Sequence, residues 1–342
     1  MKLASARLTR PAMALVVVVA LALVPAIFTT YFTGAVAVRT LILGLAAASL
    51  TFLAAYGGIV SLAQTGLYGI AGFVMARFIV HFGVDPVLAA LLALAITVAV
   101  GLVFGMIVSG SEGIYLLMIT LALGVITYYF FSQVDTFGGH EGINGVSAPG
   151  FIGDPVRHPA SIYELVLVCC VLGYAAIRYV ARTPFGLAMQ GVRDDPVRMR
   201  ALGFNPRLHR TLAFTAGALI AGVAGVLGTW SNTRISPGTI DVSQTIQLMT
   251  IAVIGGLYRI EGAWIGSLVF TLLDTYTRGL TDRFETWIGI VLLAILVLSP
   301  DGITGLAERS VRELRRGALR GRRAEAANGP RAAAPLDPGQ VR

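Results

Sequence analysis

The sequence predicts an all-α, polytopic helical membrane protein of about eight to ten transmembrane helices. Three observations carry this. Of 342 residues, 56% are hydrophobic and only 13% charged, against about 25% charged in a soluble domain. Apolar runs near the 20 residues needed to cross a bilayer recur along the chain. The charges fall mainly in the stretches between those runs and in the tail.

The first apolar run, 12–32, follows a basic head with Lys2, Arg7 and Arg10. It exceeds a signal-peptide core in length and reads as a retained span, with cleavage near Ala35-Val36-Ala37 as the alternative. A second span covers 39–56 and is broken by Gly57 and Gly58. The third, 59–80, carries Gly66, Gly69 and Gly72 at three-residue spacing, a small-residue face that lets helices pack closely in lipid. Gln64 and Thr65 lie in the same run. They face either protein, as helix packing, or a translocation pathway. Spans at 86–108 and 114–131 follow, the latter with Thr120 and Thr127 as internal polar positions.

Residues 132–160 form a long loop with Asp135, His140, Glu141 and Asp154 but one arginine, Arg157. The sixth span is 161–179 and the seventh 208–230, with a polar loop at 231–244. Two short pieces, 245–258 and 263–277, flank a turn containing Arg259 and Glu261. Both are short for a span and suit a broken or re-entrant helix. The last span is 284–299. Residues 1–305 thus form the membrane domain. Residues 306–342 form a basic, Pro/Ala/Gly-rich tail expected to be disordered.

The net charge of +8 does not indicate nucleic acid. Much of it is the tail cluster Arg309 to Arg323, which lacks aromatic interleaving and fits a topology signal or a contact with membrane lipids. A basic N-terminus in the cytoplasm, with ten crossings or eight, puts 132–160 outside and both 182–210 and the tail inside. Lys2 is the only lysine. A phosphate-binding P-loop requires a lysine to reach the phosphates, so any ATP that drives this chain binds elsewhere. The adjacent Cys169 and Cys170 point about 100° apart on a helix and cannot chelate one metal together. They read as small buried hydrophobes. The four histidines are unpaired in or beside loops, so no catalytic constellation, metal site or cofactor site is expected. Asp274 is the one acid well inside a span. It is a pathway candidate or the partner of Arg278 one turn away.

The stretch between the sixth and seventh spans, RTPFGLAMQGVRDDPVRMRALGFNPRLHR (182–210), contains six arginines. Thr183-Pro184, Asp195-Pro196 and Asn205-Pro206 each put an N-cap residue before a proline suited to the first helical position. Gly191 and Gly203 mark expected helix ends. The reading is two short helices, about 184–191 and 196–202. In the first, Phe185, Ala188, Met189 and Val192 share an apolar face. In the second, Val197, Met199, Ala201 and Leu202 are apolar, while Arg198 and Arg200 add charge. Such a segment can lie on lipid, insert into a groove on a soluble partner, or be a solvated loop.

Arg182-x-x-x-Gly186, Arg193-Asp194-Asp195 and Ala201-x-Gly203 resemble the cytoplasmic coupling loop of ABC importer permeases, in particular the LivM-type permeases of branched-chain amino acid uptake. Residues 61–73, 113–126, 137–146 and 249–267 agree with that family in order. The resemblance implies an ABC importer permease fold in a bacterial inner membrane, with both termini cytoplasmic. It implies a second homologous permease, two cytoplasmic ATPase subunits and a periplasmic or lipid-anchored solute-binding protein as partners. It implies ATPase coupling by Phe185, Gly186, Met189, Val192, Arg193, Asp194, Arg198, Arg200, Ala201 and Gly203, with Phe185, Met189 and Val192 as the grip. Gln64, Thr65, Thr120 and Asp274 are the pathway candidates. The chain departs from the family where Gly-Gly-Met-Gly-Thr is usual and Gly255-Gly256-Leu257-Tyr258-Arg259-Ile260-Glu261-Gly262 stands here.

Spans with few charges fit a neutral or zwitterionic cargo with an apolar side chain. The alternatives are a same-family permease for urea or a short amide, and a self-contained secondary transporter. The latter would be expected to show intramembrane charges or matched half-repeats. A membrane enzyme would need polar clusters in the spans.

Overall fold

Proline preceded by a short polar side chain opens four of the helices. Asp85 accepts from the N–H groups of Val87 and Leu88 ahead of the helix at Pro86. Thr183 accepts from Gly186, Asp195 from Arg198, and Asn205 from Arg207 and Leu208. Each cap meets N–H groups that the first helical turn leaves without partners.

The computed structural model describes residues 20–27, 29, 32–150, 153, 159–278, 286, 289–290, 293 and 302–305. The helices of six or more residues begin with α1 (Phe32–Gly57), α2 (Gln64–Phe82), α3 (Pro86–Val108), α4 (Gly113–Gln133) and α5 (Pro159–Val180). After them come α6 (Pro184–Asp194), α7 (Pro196–Ala201), α8 (Pro206–Asn232), α9 (Val242–Gly255) and α10 (Ile260–Arg278). Six of these, α1 to α5 and α8, are long and apolar enough to cross a membrane. The expected spans at 12–32 and 284–299 fall largely outside the described residues, as does the tail 306–342.

Helix α1 is the axis of the bundle. Its most apolar window is 83% buried, against 28% for α3 and 33% for α4 and α5. It packs against α5, α8, α9 and α10, while α8 also lies along α2 and α3. The exposed side chains of α3 and α4, among them Leu91, Met106, Met118 and Ile126, form the lipid-facing surface of a membrane-spanning bundle. Helix α1 is not uniform. Phe32–Val38 and Leu53–Gly57 are π-helical around a regular centre at Arg39–Phe52. Such widened turns are uncommon and concentrate at functional places.

The two short apolar pieces become α9 and α10, bent by 115° at the break between them. Gly255 and Gly262 lie back to back there, each occupying space a Cβ on the other would need. Arg259 and Glu261, at the turn between the two pieces, are anchored. The guanidinium of Arg259 donates to the Thr304 carbonyl at 3.5 Å. Glu261 accepts from Tyr174 Oη at 2.8 Å and pairs with Arg178 at 3.0 Å.

At the opposite end of the bundle the loops after α4 and α8 meet in a ribbon the all-helical reading did not anticipate. Strand β1 (Ile143–Asn144) pairs antiparallel with β2 (Arg234–Ile235), in register Ile143 to Ile235. Gly142, at φ +75°, lies against the Ile235 backbone where no side chain fits.

Candidate functional site

Two places hold most of the residues singled out from the sequence, and Asp274 lies in neither. One is the short-helix pair α6–α7 at an end of the bundle. The other is the break between α1 and α2.

Helix α6 runs from Pro184 to Asp194, through Gly191 rather than ending there. Gly191 instead admits α7, because a Cβ would come within 2.8 Å of Met199 Sδ. Gly203, at φ +88°, does follow the end of α7. Gln190 Nε2 donates to the carbonyls of Ala181 and Gly186, each at 3.1 Å, fixing α6 on the end of α5. Gly186 is buried so closely that a Cβ there would collide with the Val180 carbonyl.

The apolar face expected to grip a partner points inward. Met189 and Val192 are each 1% exposed, and α6 packs on the π-helical end of α1 and on α8. Phe185 is half-buried and stacks on His209 at 5.7 Å. The reason is the hydrophobic effect within the chain. The stripe has an apolar surface of its own bundle beside it, so it is buried there. What the pair presents outward is Leu187, Val197 and Leu202, with Arg198, Arg200, Ala201, Asp194 and Gly203 also exposed. Leu187 was not legible as a candidate, because it sits alone on the polar side of the stripe.

Arg193 does something the spacing did not reveal. Its guanidinium donates to the Ala55 carbonyl and to Asp194, the latter ion pair at 2.7 Å. Its Cγ lies 2.6 Å from where a Cβ on Gly58 would be. Gly58, at φ +65°, caps the π-helical segment. The short helix is therefore tied by charge and by close packing to the point where α1 stops.

From Gly58 to Ala63 the backbone is not helical, yet Ile59, Ser61 and Ala63 are buried at 1% exposure or less. Three of these N–H groups meet acceptors inside the bundle, as buried backbone requires. Ile59 donates to the Leu53 carbonyl, Leu62 to Thr120 Oγ1 at 3.2 Å and Ala63 to Ser61 Oγ at 3.3 Å. Thr120 Oγ1 also donates to the Leu117 carbonyl at 3.0 Å, so this pathway candidate is a prop for the segment. Helix α2 then opens inside the bundle. Gly66 faces Gly124 and Thr127 of α4, and the Gln64 amide lies beside Gly217. Gly217 is eleven residues along α8, about 16 Å from its start. Gln64 is 1% exposed and Thr65 6%. Neither amide atom of Gln64, nor Thr65 Oγ1, has a hydrogen-bond partner.

Asp274 is far from this break. It is 1% exposed and pairs with Arg39 Nη1 at 2.7 Å, joining α10 to the first regular turn of α1. Arg39 is 235 positions away in sequence. The side chain of Arg278, the partner expected from helical spacing, lies outside the described residues. Among the described residues no three His, Cys, Asp or Glu side chains gather as a metal site.

Residues 32–300 match the family model described as branched-chain amino acid transport system / permease component. The chain is 23% identical over 308 residues to the high-affinity branched-chain amino acid transport system permease protein LivM of Escherichia coli K12, covering 83% of this chain and 72% of that protein. The LivM of Salmonella typhimurium LT2 is 22% identical over 313 residues, 84% of this chain and 73% of its own length. A probable branched-chain amino acid transport permease protein LivH of Methanocaldococcus jannaschii is 25% identical over 273 residues, 73% of this chain and 84% of its own. No solved structure matches the chain. The family match spans most of the sequence, from the start of α1 past the bent pair, and takes in both the α1–α2 break and the α6–α7 pair: the chain is a multi-pass membrane protein of the branched-chain amino acid transport permease family.

Proposed function

We propose that this chain is the membrane-spanning subunit of an ATP-driven importer of branched-chain, hydrophobic amino acids. It sits in a bacterial inner membrane with α6–α7 and both termini in the cytoplasm. A second homologous permease completes the membrane unit, two ATPase subunits dock beneath it, and a solute-binding protein delivers cargo to the ribbon end. The chain has Lys2 as its sole lysine and therefore no P-loop, so ATP hydrolysis belongs to the docked subunits.

The observation that carries this reading is the tie from Arg193 to Ala55 and Gly58. Leu187, Val197 and Leu202, with Arg198 and Arg200, form the outward surface an ATPase groove can take. Phe185, Gly186, Met189 and Val192 seat the helix on the bundle. Arg193 and its partner Asp194 pass the displacement to the end of α1. Movement at the ATPases thus reaches the break before α2 through two elements in contact, which is the rigid-body coupling a two-state gate requires.

The test is uptake of labelled leucine into proteoliposomes holding the complete complex, with ATP and binding protein supplied. Leucine accumulation that depends on ATP supports the reading. A complex that carries urea or a short amide but no leucine refutes the cargo, and uptake by this chain without ATPases refutes the mechanism.

A further inference from the structure

The break between α1 and α2 leaves three unmet polar features on the first turn of α2, inside the bundle. The first turn of α2 has N–H groups without intrahelical acceptors and carries the positive end of a 19-residue helix. Gln64 is 1% exposed, and its amide N–H₂ and carbonyl are both unpartnered. On the next residue, Thr65 Oγ1 is also buried and unpartnered. Buried polar groups left unpaired destabilise a fold, and irregular backbone at membrane depth persists where it is enclosed by protein or lines a cavity. Formal charge at this segment comes from Arg193 and its partner Asp194, at Ala55 and Gly58. None of Lys, Arg, His, Asp and Glu occurs in 40–73, 114–132 or 211–231. The local field is therefore set by the α2 terminus together with the Arg193–Asp194 pair at Ala55, and the terminus favours an anion.

The geometry points to a carboxylate site: the N-terminal turn of α2, with Gln64 Nε2 and Thr65 Oγ1, binds the carboxylate of the amino acid midway through translocation. This inference rests on the proposed function and adds a binding point and a chemical group to it. Helix N-termini hold carboxylates by combining directed N–H donors with the helix dipole. A neutral amide and a hydroxyl add donors without a fixed charge that would trap the cargo. Leu53 and the Gln64 amide both lie against Gly217 of α8. The Arg193 tie to Ala55 and Gly58 lies at the other end of the same irregular segment, so movement of α6 acts on the wall of the site.

The complete complex in proteoliposomes tests this with Gln64→Leu, Gln64→Glu and Thr65→Val. Thermal melting of each purified complex and ATP hydrolysis stimulated by the binding protein are read beside leucine uptake. Gln64→Leu removes an unpartnered buried amide, so melting stays level or rises while uptake falls about tenfold or more. Gln64→Glu sets a carboxylate against the cargo's own and lowers uptake at least as far. Thr65→Val gives a smaller fall. In all three, stimulated ATP hydrolysis persists, because docking and coupling are elsewhere. Wild-type uptake in Gln64→Leu and Gln64→Glu overturns the carboxylate site and leaves the importer reading standing. A fall in uptake that tracks a fall in melting temperature also overturns it, since the residue then acts structurally. If the wild-type complex takes up no leucine, it is the importer reading itself that has failed.

Discussion

Arg193 and Ala55 lie 138 positions apart, and the guanidinium of one donates to the backbone carbonyl of the other. The bond joins a short helix at the rim of the bundle to the last turns of its central helix. A carbonyl in a π-helical turn beside an irregular segment lacks the full set of helical partners, so it is available to an outside donor.

Replacing Arg193 by Ala removes that donor and the aliphatic stem that packs on Gly58. ATP hydrolysis continues, but leucine uptake per ATP hydrolysed falls about tenfold, and Arg193→Lys recovers only part of it because one ammonium cannot hold Ala55 and Asp194 as the fork does. Parallel measurement of uptake and phosphate release checks this. Equal losses of both would mean that Arg193 serves docking instead of transmission.

Val197 and Leu202 are 75% and 66% exposed. Changing either to Asp costs the permease little, since surface substitutions lie within about 0.5 kcal/mol. The same changes should weaken co-purification of the ATPase subunits. Met189→Asp, by contrast, buries an unpaired charge in the chain's own packing and lowers the melting temperature of the permease itself. Melting curves with and without ATPases separate the two kinds of site.

Gly186→Ala should behave like a core lesion despite its place in a short helix between two spans. A Cβ there meets the backbone carbonyl of Val180, which cannot yield as a side chain can. The expected outcome is displacement of α6 from the end of α5. Faster proteolysis between Arg182 and Arg200 in inside-out vesicles would register it.

Asp274 and Arg39 join α10 to α1, and the carboxylate is 1% exposed. Asp274→Leu leaves the arginine without this carboxylate. Removing one partner of a buried pair costs about 3–5 kcal/mol, and a figure below that range is expected because 41% of the Arg39 side chain is exposed. The double change Arg39→Leu with Asp274→Leu should recover most of the lost melting temperature. No recovery would show that the pair is not the principal role of Asp274.

Local signals in the sequence carried the helix pattern well. Pro86–Val108 has the boundaries that hydropathy and Asp85-Pro86 indicate, and the three polar-residue-then-proline pairs of 182–210 open α6, α7 and α8 as expected. Misreadings arose where tertiary contacts decide. Residues 59–80 read as one continuous span, because nothing in Ile59 to Ala63 is polar enough to announce a break. That segment leaves the helix because Thr120 and Ser61 meet its N–H groups. The stripe of Met189 and Val192 was legible as apolar, but a stripe does not say which surface covers it. Gly191 reads as a stop from propensity alone, yet Met199 folding back over it gives that glycine another use. The ribbon of Ile143 and Ile235 rests on pairing across 92 positions, beyond the reach of any local pattern.

The central claim is that this chain is a gate worked by ATPases from the α6–α7 end. The most direct measurement is leucine accumulation in proteoliposomes containing both permeases and both ATPases, with binding protein on the ribbon side and ATP on the α6–α7 side. The account predicts accumulation against a gradient that stops when ATP is replaced by a non-hydrolysable analogue and falls about tenfold when Arg193 is changed to Ala. Accumulation that survives without ATPases, or that runs on an ion gradient through this chain alone, would contradict it.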